Sequence, residues 1–131
     1  MVVFIGREKE LAMLNQAYLK GGNSIVVLYG REQIGKTTLV KKFVQDKTYV
    51  YYQARELSEK EQNRYFEKAL FSVKEKAEKE RIVFVVDEFD LIQKGYKTFF
   101  ADFLTKFDEF PKGQVMVLFV SSAIGWVEND M

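Results

Sequence analysis

The residues best suited to chemistry sit between two glycines, in Gly30-Arg31-Glu32-Gln33-Ile34-Gly35-Lys36-Thr37-Thr38. The first eight fit the spacing G-x-x-x-x-G-K-[ST]. Glycine at both ends lets the backbone curl around an anion without a side-chain clash. Successive amide N–H groups then point at phosphate oxygens, and a helix opening near Lys36 adds the positive end of its dipole. The Lys36 ammonium suits β- and γ-phosphates as a point charge. The Thr37 hydroxyl suits Mg²⁺, which takes oxygen ligands. A chance match in a chain this long is on the order of half a per cent. The motif also follows a strand pattern and precedes a helical one, as the chemistry requires; the bland alternative is a glycine turn with a surface lysine.

A second constellation lies downstream. Ile82-Val83-Phe84-Val85-Val86 is a buried-strand pattern that ends in Asp87-Glu88. Adjacent acids rarely end such a strand without a partner. Beside a phosphate loop, the first acid is placed to hold Mg²⁺ through water, and the second to polarise an attacking water as general base. Asp87 is therefore the expected metal-side acid and Glu88 the catalytic one; the alternative is a strand end turning into a solvated loop. A water-activating glutamate favours hydrolysis over transfer to a small-molecule acceptor. No Asn-Lys-x-Asp sequence is present, so nothing favours guanine, and adenine is expected by default.

Two flanking signals stay open on residue chemistry alone. Ser121 and Ser122 end the last strand pattern; if that strand runs beside the first, a hydroxyl there could orient water and report the γ-phosphate, or it could cap the next turn. Phe4-Ile5-Gly6-Arg7-Glu8 precedes the first helix. Arg7 could touch phosphate or ribose and Phe4 or Ile5 could pack on a base, or the segment is a helix start with Glu8 and Glu10 near its positive end. Tyr49, Tyr51 and Tyr52 read as sheet packing rather than a stacking platform. The mixed-sign run from Lys74 to Arg81 reads as a solvated helix end, and Phe99 to Phe107 as a core or interface stripe.

The elements that must position these groups alternate. A helical stripe spans Arg7–Lys20 and stops at Gly21-Gly22. Ile25–Tyr29 is a continuous apolar run, the mark of a buried parallel strand. A helix follows over about Lys36–Gln45, then a strand over Thr48–Tyr52. Ser58 with Glu61 forms a capping-box signature opening a helix to about Lys79. Strands over Ile82–Val86 and Val115–Val120 flank the phenylalanine helix, which Pro111 and Gly113 close. Alternating strands and helices predict an α/β sandwich with a parallel sheet.

Composition removes other chemistries. Cysteine and histidine are both absent from the 131 residues, so thiolate catalysis, disulfides, iron–sulfur clusters and imidazole bases are excluded. Twenty Lys and Arg against 19 Asp and Glu leave a net charge of +1, which gives no bulk attraction to nucleic acid or an anionic membrane. No apolar run reaches the roughly 18 residues that suggest a membrane span. A cytoplasmic protein without a membrane partner is the expectation.

Taken in order, Phe4-Ile5-Gly6-Arg7-Glu8-x-Glu10-Leu11, Gly30 to Thr38, Val85-Val86-Asp87-Glu88-Phe89 and Phe119 to Ser122 resemble the archaeal and bacterial predicted ATPases of the AAA+/STAND group, relatives of origin-recognition initiators. The phosphate loop and acid pair are generic to P-loop ATPases; the Gly-Arg-Glu segment is more particular to this group. The resemblance implies a three-layer P-loop NTPase sandwich with sheet order 5-1-4-3-2, strands counted from Ile25–Tyr29. It implies ATP with Mg²⁺ as ligands, Gly6 and Arg7 near the adenine side, and Ser121 or Ser122 as the first sensor. Relatives continue past that sensor with a fifth strand, an arginine finger or second sensor and a lid. The expectation is therefore one ATPase core over residues 1–131, cut after the sensor strand, with order 1-4-3-2 present and the fifth strand and lid missing. The first strand would then be an exposed edge open to self-association or a protein partner. Nucleic acid is expected to bind only a full-length relative. The function implied is Mg-ATP binding with slow hydrolysis. The alternatives are a nucleotide-gated interaction module with little turnover and, more weakly, a small-molecule kinase.

Overall fold

The computed structural model describes residues 2–5, 10–29, 35–107, 109–111 and 113–121. In chain order these form β1 (Val2–Ile5), α1 (Glu10–Leu19), β2 (Ser24–Tyr29), α2 (Gly35–Val44), β3 (Tyr49–Gln53), α3 (Glu59–Ala77), β4 (Ile82–Asp87), α4 (Phe89–Gly95), α5 (Phe99–Phe107) and β5 (Val115–Ser121). The strands make one parallel sheet in the order β1-β2-β5-β4-β3.

Each β2, β4 and β5 side chain alternates between two apolar layers, which is why these strands read as unbroken Val, Ile, Leu and Phe. Val26, Leu28, Val83, Val85, Met116, Leu118 and Val120 pack with Leu14 of α1 and Val40, Phe43 and Val44 of α2. Ile25, Val27, Phe84, Val86, Val117 and Phe119 face α3, α4 and α5 across a phenylalanine-rich layer. There Phe66 sits at the centre, edge-on to Tyr52, Phe99 and Phe103. The three-layer α/β architecture is the expected one, and β2-β5-β4-β3 is the expected strand order 1-4-3-2.

Local chemistry sets the boundaries. Ser58 caps α3, its hydroxyl accepting the Glu61 amide at 3.2 Å, as the capping-box spacing predicts. After α1 the chain turns through Gly21 and Gly22 at φ 77° and 73°, a conformation that side chains with a Cβ resist. α4 was not legible in the sequence: seven residues leave too little periodicity to recognise.

One expectation is corrected. Ile25–Tyr29 is not an open edge, because β1 pairs along it, Val2 opposite Ile25 through to Ile5 opposite Leu28. Four apolar, strand-prone residues at the start of the chain satisfy the hydrogen bonds that an edge would expose. Association through that exposed strand therefore loses its basis. The sheet position that the resemblance gives to a strand late in the chain is filled by the first strand of all.

The opposite end of the sheet, where strands begin, is closed by side chains. Arg81 Nη1 donates to the carbonyls of Gly22 (3.0 Å) and Gly113 (2.7 Å), and the guanidinium lies 4.9 Å from the centre of the Tyr18 ring. Asn23 Oδ1 accepts the amides of Gln114 (3.0 Å) and Val115 (2.9 Å). Arg81 thus departs from the solvated helix end expected of its charge run: its role is to tie together the loops that enter β2, β4 and β5.

Candidate functional site

In a parallel sheet every strand points its carboxyl end the same way, and ligand sites gather there. β2 delivers the chain to the glycine-bracketed segment and α2 leaves it, starting at Gly35. Gly30, Arg31, Glu32, Gln33 and Ile34 lie outside the described residues, as do Gly6, Arg7 and Ser122. Gly35, Lys36 and Thr37 are placed through their backbone, in the first turn of α2, and Thr38 is exposed in that turn. The turn carries no acid, while Lys41 and Lys42 occupy the last turn. That distribution leaves the unpaired amides and positive dipole at the start of α2 without a competing carboxylate.

Asp87 closes β4 at the same end of the sheet. Register sets Val86 opposite Phe119, so Asp87 comes level with Val120 and, beyond it, Leu28. Two strand spacings, roughly 10 Å, separate it from β2. Its parity with Val83 and Val85 turns it to the face that α2 covers. Residues of α2 and Asp87 line one cleft of about 300 Å³, made by Lys41, Val44, Tyr49, Tyr51, Gln53 and Asp87. The sheet thus brings the acid and the phosphate-loop helix to one side of the molecule.

The Asp87 residue is 7% exposed, and its carboxylate forms no salt bridge among the described side chains, which do not include that of Lys36. Two neutral donors hold it: the Glu88 amide at 2.8 Å on Oδ1, and the Tyr51 hydroxyl on Oδ2. Burial first, and then the hydrogen bond and negative charge of Asp87, push the Tyr51 phenol well above its usual range, so it stays a donor. A buried carboxylate with spare lone pairs and no cation suits a divalent ion. Among the described residues no three metal-ligating side chains cluster. Asp87 would therefore share such an ion with oxygens from phosphate, water and a hydroxyl, which is how Mg²⁺ is ordinarily held.

Glu88 follows with φ 56° and ψ 40°, the left-handed region, and is the described non-glycine residue with positive φ. Holding a long side chain there costs of order 1–3 kcal/mol, and such strain concentrates at functional positions. The local geometry explains why it persists. The Glu88 amide is held by Asp87, its carbonyl accepts the Leu91 amide at 2.9 Å, and α4 starts directly after it. The backbone therefore reverses sharply at the one residue for which the sequence suggests a catalytic role.

Ser121 stands differently. It ends β5 opposite Tyr29, is fully buried, and its hydroxyl donates to Asp90 Oδ1 of α4 at 3.2 Å. By strand alternation it shares the face of Phe119, the side away from Asp87. The sequence leaves Ser121 and Ser122 equivalent; the fold ties Ser121 to α4. Tyr51, which the sequence suggests is sheet packing, is also a hydrogen-bond donor to Asp87. Its only signal was parity: with Gln53 paired to Asp87, Tyr51 faces the same side as both, two residues earlier, within reach of a long aromatic side chain. Phe4 and Ile5 lie in β1, paired with Val27 and Leu28.

Comparison with known proteins bears on the family and the fold. A family model described as an ATPase domain predominantly from Archaea matches residues 4–70. An uncharacterized ATP-binding protein of Methanocaldococcus jannaschii is 38% identical over 47 residues, covering 36% of this chain and 80% of that protein. An uncharacterized protein of the same organism is 41% identical over 54 residues, 41% of this chain and 12% of the relative. Among solved structures, C. elegans PCH-2 superposes with a TM-score of 0.52 at 23% identity, over 75% of this chain and 30% of PCH-2. That likeness concerns the fold, and the chain spans less than a third of PCH-2.

Proposed function

The chain belongs to the family of ATPase domains found predominantly in Archaea, and from that premise we propose that it binds Mg-ATP and hydrolyses it slowly. Backbone amides of residues 30–38 and the start of α2 grip the phosphates, and the Lys36 ammonium neutralises the β- and γ-oxygens. Thr37 and Asp87 would hold the Mg²⁺, which would supply charge neutralisation at the phosphates. Glu88 polarises the water. As its oxygen bonds to the γ-phosphorus, the bond to the β–γ bridging oxygen breaks, a proton passes to Glu88, and ADP and phosphate leave. Gly6 and Arg7 lie on the adenine side, and Ser121 or Ser122 senses the γ-phosphate. Turnover is slow where no guanidinium stabilises the transition state, a group worth about 10³–10⁵ in rate.

The observation that carries this reading is a buried Asp87, lining one cleft with α2 and without a cation among the described side chains, followed directly by Glu88 in a left-handed backbone. The ATP-binding designation of the Methanocaldococcus relative supports it. Calorimetric titration with ATP, ADP and GTP, with and without Mg²⁺, tests it. Lys36→Ala abolishes nucleotide binding, and Glu88→Gln keeps binding while phosphate release stops. Unchanged ATP affinity in Lys36→Ala overturns the site.

A further inference from the structure

We propose that Tyr51 is a positioning residue of the Mg²⁺ site, fixing the Asp87 carboxylate in the orientation in which it meets the metal. The inference rests on the function proposed above and adds a residue to it. β3 pairs with β4 so that Gln53 lies opposite Asp87 and Tyr51 opposite Val85. Tyr51 therefore stands one repeat back on the same face, and its ring spans that offset to bring the hydroxyl onto Asp87 Oδ2. Oδ1 is taken by the Glu88 amide. One donor on each oxygen removes the carboxylate's freedom to swing about its side-chain bonds, while an ionised carboxylate offers roughly four acceptor positions and keeps the remainder for a ligand.

Packing alone does not explain the hydroxyl. Tyr51 lies at the margin of the aliphatic layer formed with α2, where a phenylalanine ring would fill the same space. Tyr52, next along the strand, faces the other layer and donates to Gln62 Oε1 at 2.6 Å, while Gln62 Nε2 donates to the Arg55 carbonyl at 2.7 Å. Neighbouring tyrosines thus serve different ends. Tyr52 anchors β3 to α3, and Tyr51 reaches the one buried acid at the carboxyl end of β4. Outer hydrogen bonds of this kind orient metal ligands, and removing one typically costs about 10–100-fold in metal affinity.

The test reads nucleotide binding rather than turnover. Binding of a fluorescent ATP analogue is followed at increasing Mg²⁺ and in EDTA, for the wild type, Tyr51→Phe, Tyr52→Phe and Asp87→Asn. Tyr51→Phe raises the Mg²⁺ needed for half-maximal enhancement at least tenfold and leaves binding in EDTA unchanged, whereas Tyr52→Phe leaves the Mg²⁺ requirement where it was. A normal requirement in folded Tyr51→Phe overturns the role of Tyr51, while loss of the Mg²⁺ response in Asp87→Asn still upholds the metal site. A wild type with no Mg²⁺ response overturns both. Should Tyr51→Phe fail to fold, 3-fluorotyrosine placed at position 51 supplies the answer: its ¹⁹F resonance moves on adding Mg²⁺ to the nucleotide complex, and an unmoved resonance overturns the proposal.

Discussion

The two ends of the parallel sheet are built on opposite terms. Where the strands begin, polar groups are spent on one another: Arg81 on the carbonyls of Gly22 and Gly113, Asn23 on the amides of Gln114 and Val115. Where they finish, Asp87 is buried without a described cation, Glu88 is held in a left-handed backbone, and the first turn of α2 carries no acid. The first end gathers loops that would otherwise fray. The second holds a carboxylate between two neutral donors, and the proposed metal would complete it.

That contrast can be broken by substitution. The largest effect on folding is expected at the closed end. Arg81→Ala removes two charge-assisted hydrogen bonds and the contact with the Tyr18 ring, costing about 1–3 kcal/mol in urea denaturation. Nucleotide affinity of the folded protein should not change; a large loss of affinity would show that the two ends are coupled. Next comes the open end. Asp87→Asn keeps one oxygen for the Glu88 amide and turns its Nδ2 donor to the Tyr51 oxygen, but loses the charge, so the Mg²⁺ enhancement of ATP binding falls at least tenfold, or about 1.4 kcal/mol. Its denaturation midpoint stays near that of the wild type, and a collapse of stability would mean that Asp87 is a structural acid. Smallest is Ser121→Ala, which deletes the hydrogen bond to Asp90 for about 0.5–1.5 kcal/mol. ATP affinity and phosphate release stay within a few-fold if Ser121 only fastens β5 to α4. A drop in release of a hundredfold with intact binding would instead assign the sensor to Ser121, despite the face it occupies.

The sequence was informative wherever chemistry is written into neighbouring residues. The spacing of Gly30, Gly35, Lys36 and Thr37, the Asp87-Glu88 pair ending an apolar run and the Ser58–Glu61 cap all depend on local backbone geometry. The burial of four strands was equally plain, since a strand covered on both faces needs unbroken apolar residues. What it concealed depends on pairing between distant segments. β1 gave no signal of its own as a strand, because four apolar residues become one only when β2 offers its edge. α4 is too short for periodicity. The division of labour between Tyr51 and Tyr52 follows from the register of β3 on β4, and the face taken by Ser121 from its register on β2.

By itself the sequence determined the alternation of strands and helices, and singled out the residues proposed to grip phosphate and to serve a metal, because each is a property of side-chain type at short spacing. Only the tertiary structure decided that the edge of β2 is covered, that Asp87 and α2 share one cleft, and that a tyrosine from a strand 36 positions earlier holds the acid. Those are matters of strand order and register, which hydrogen bonds across the sheet fix and no local pattern encodes.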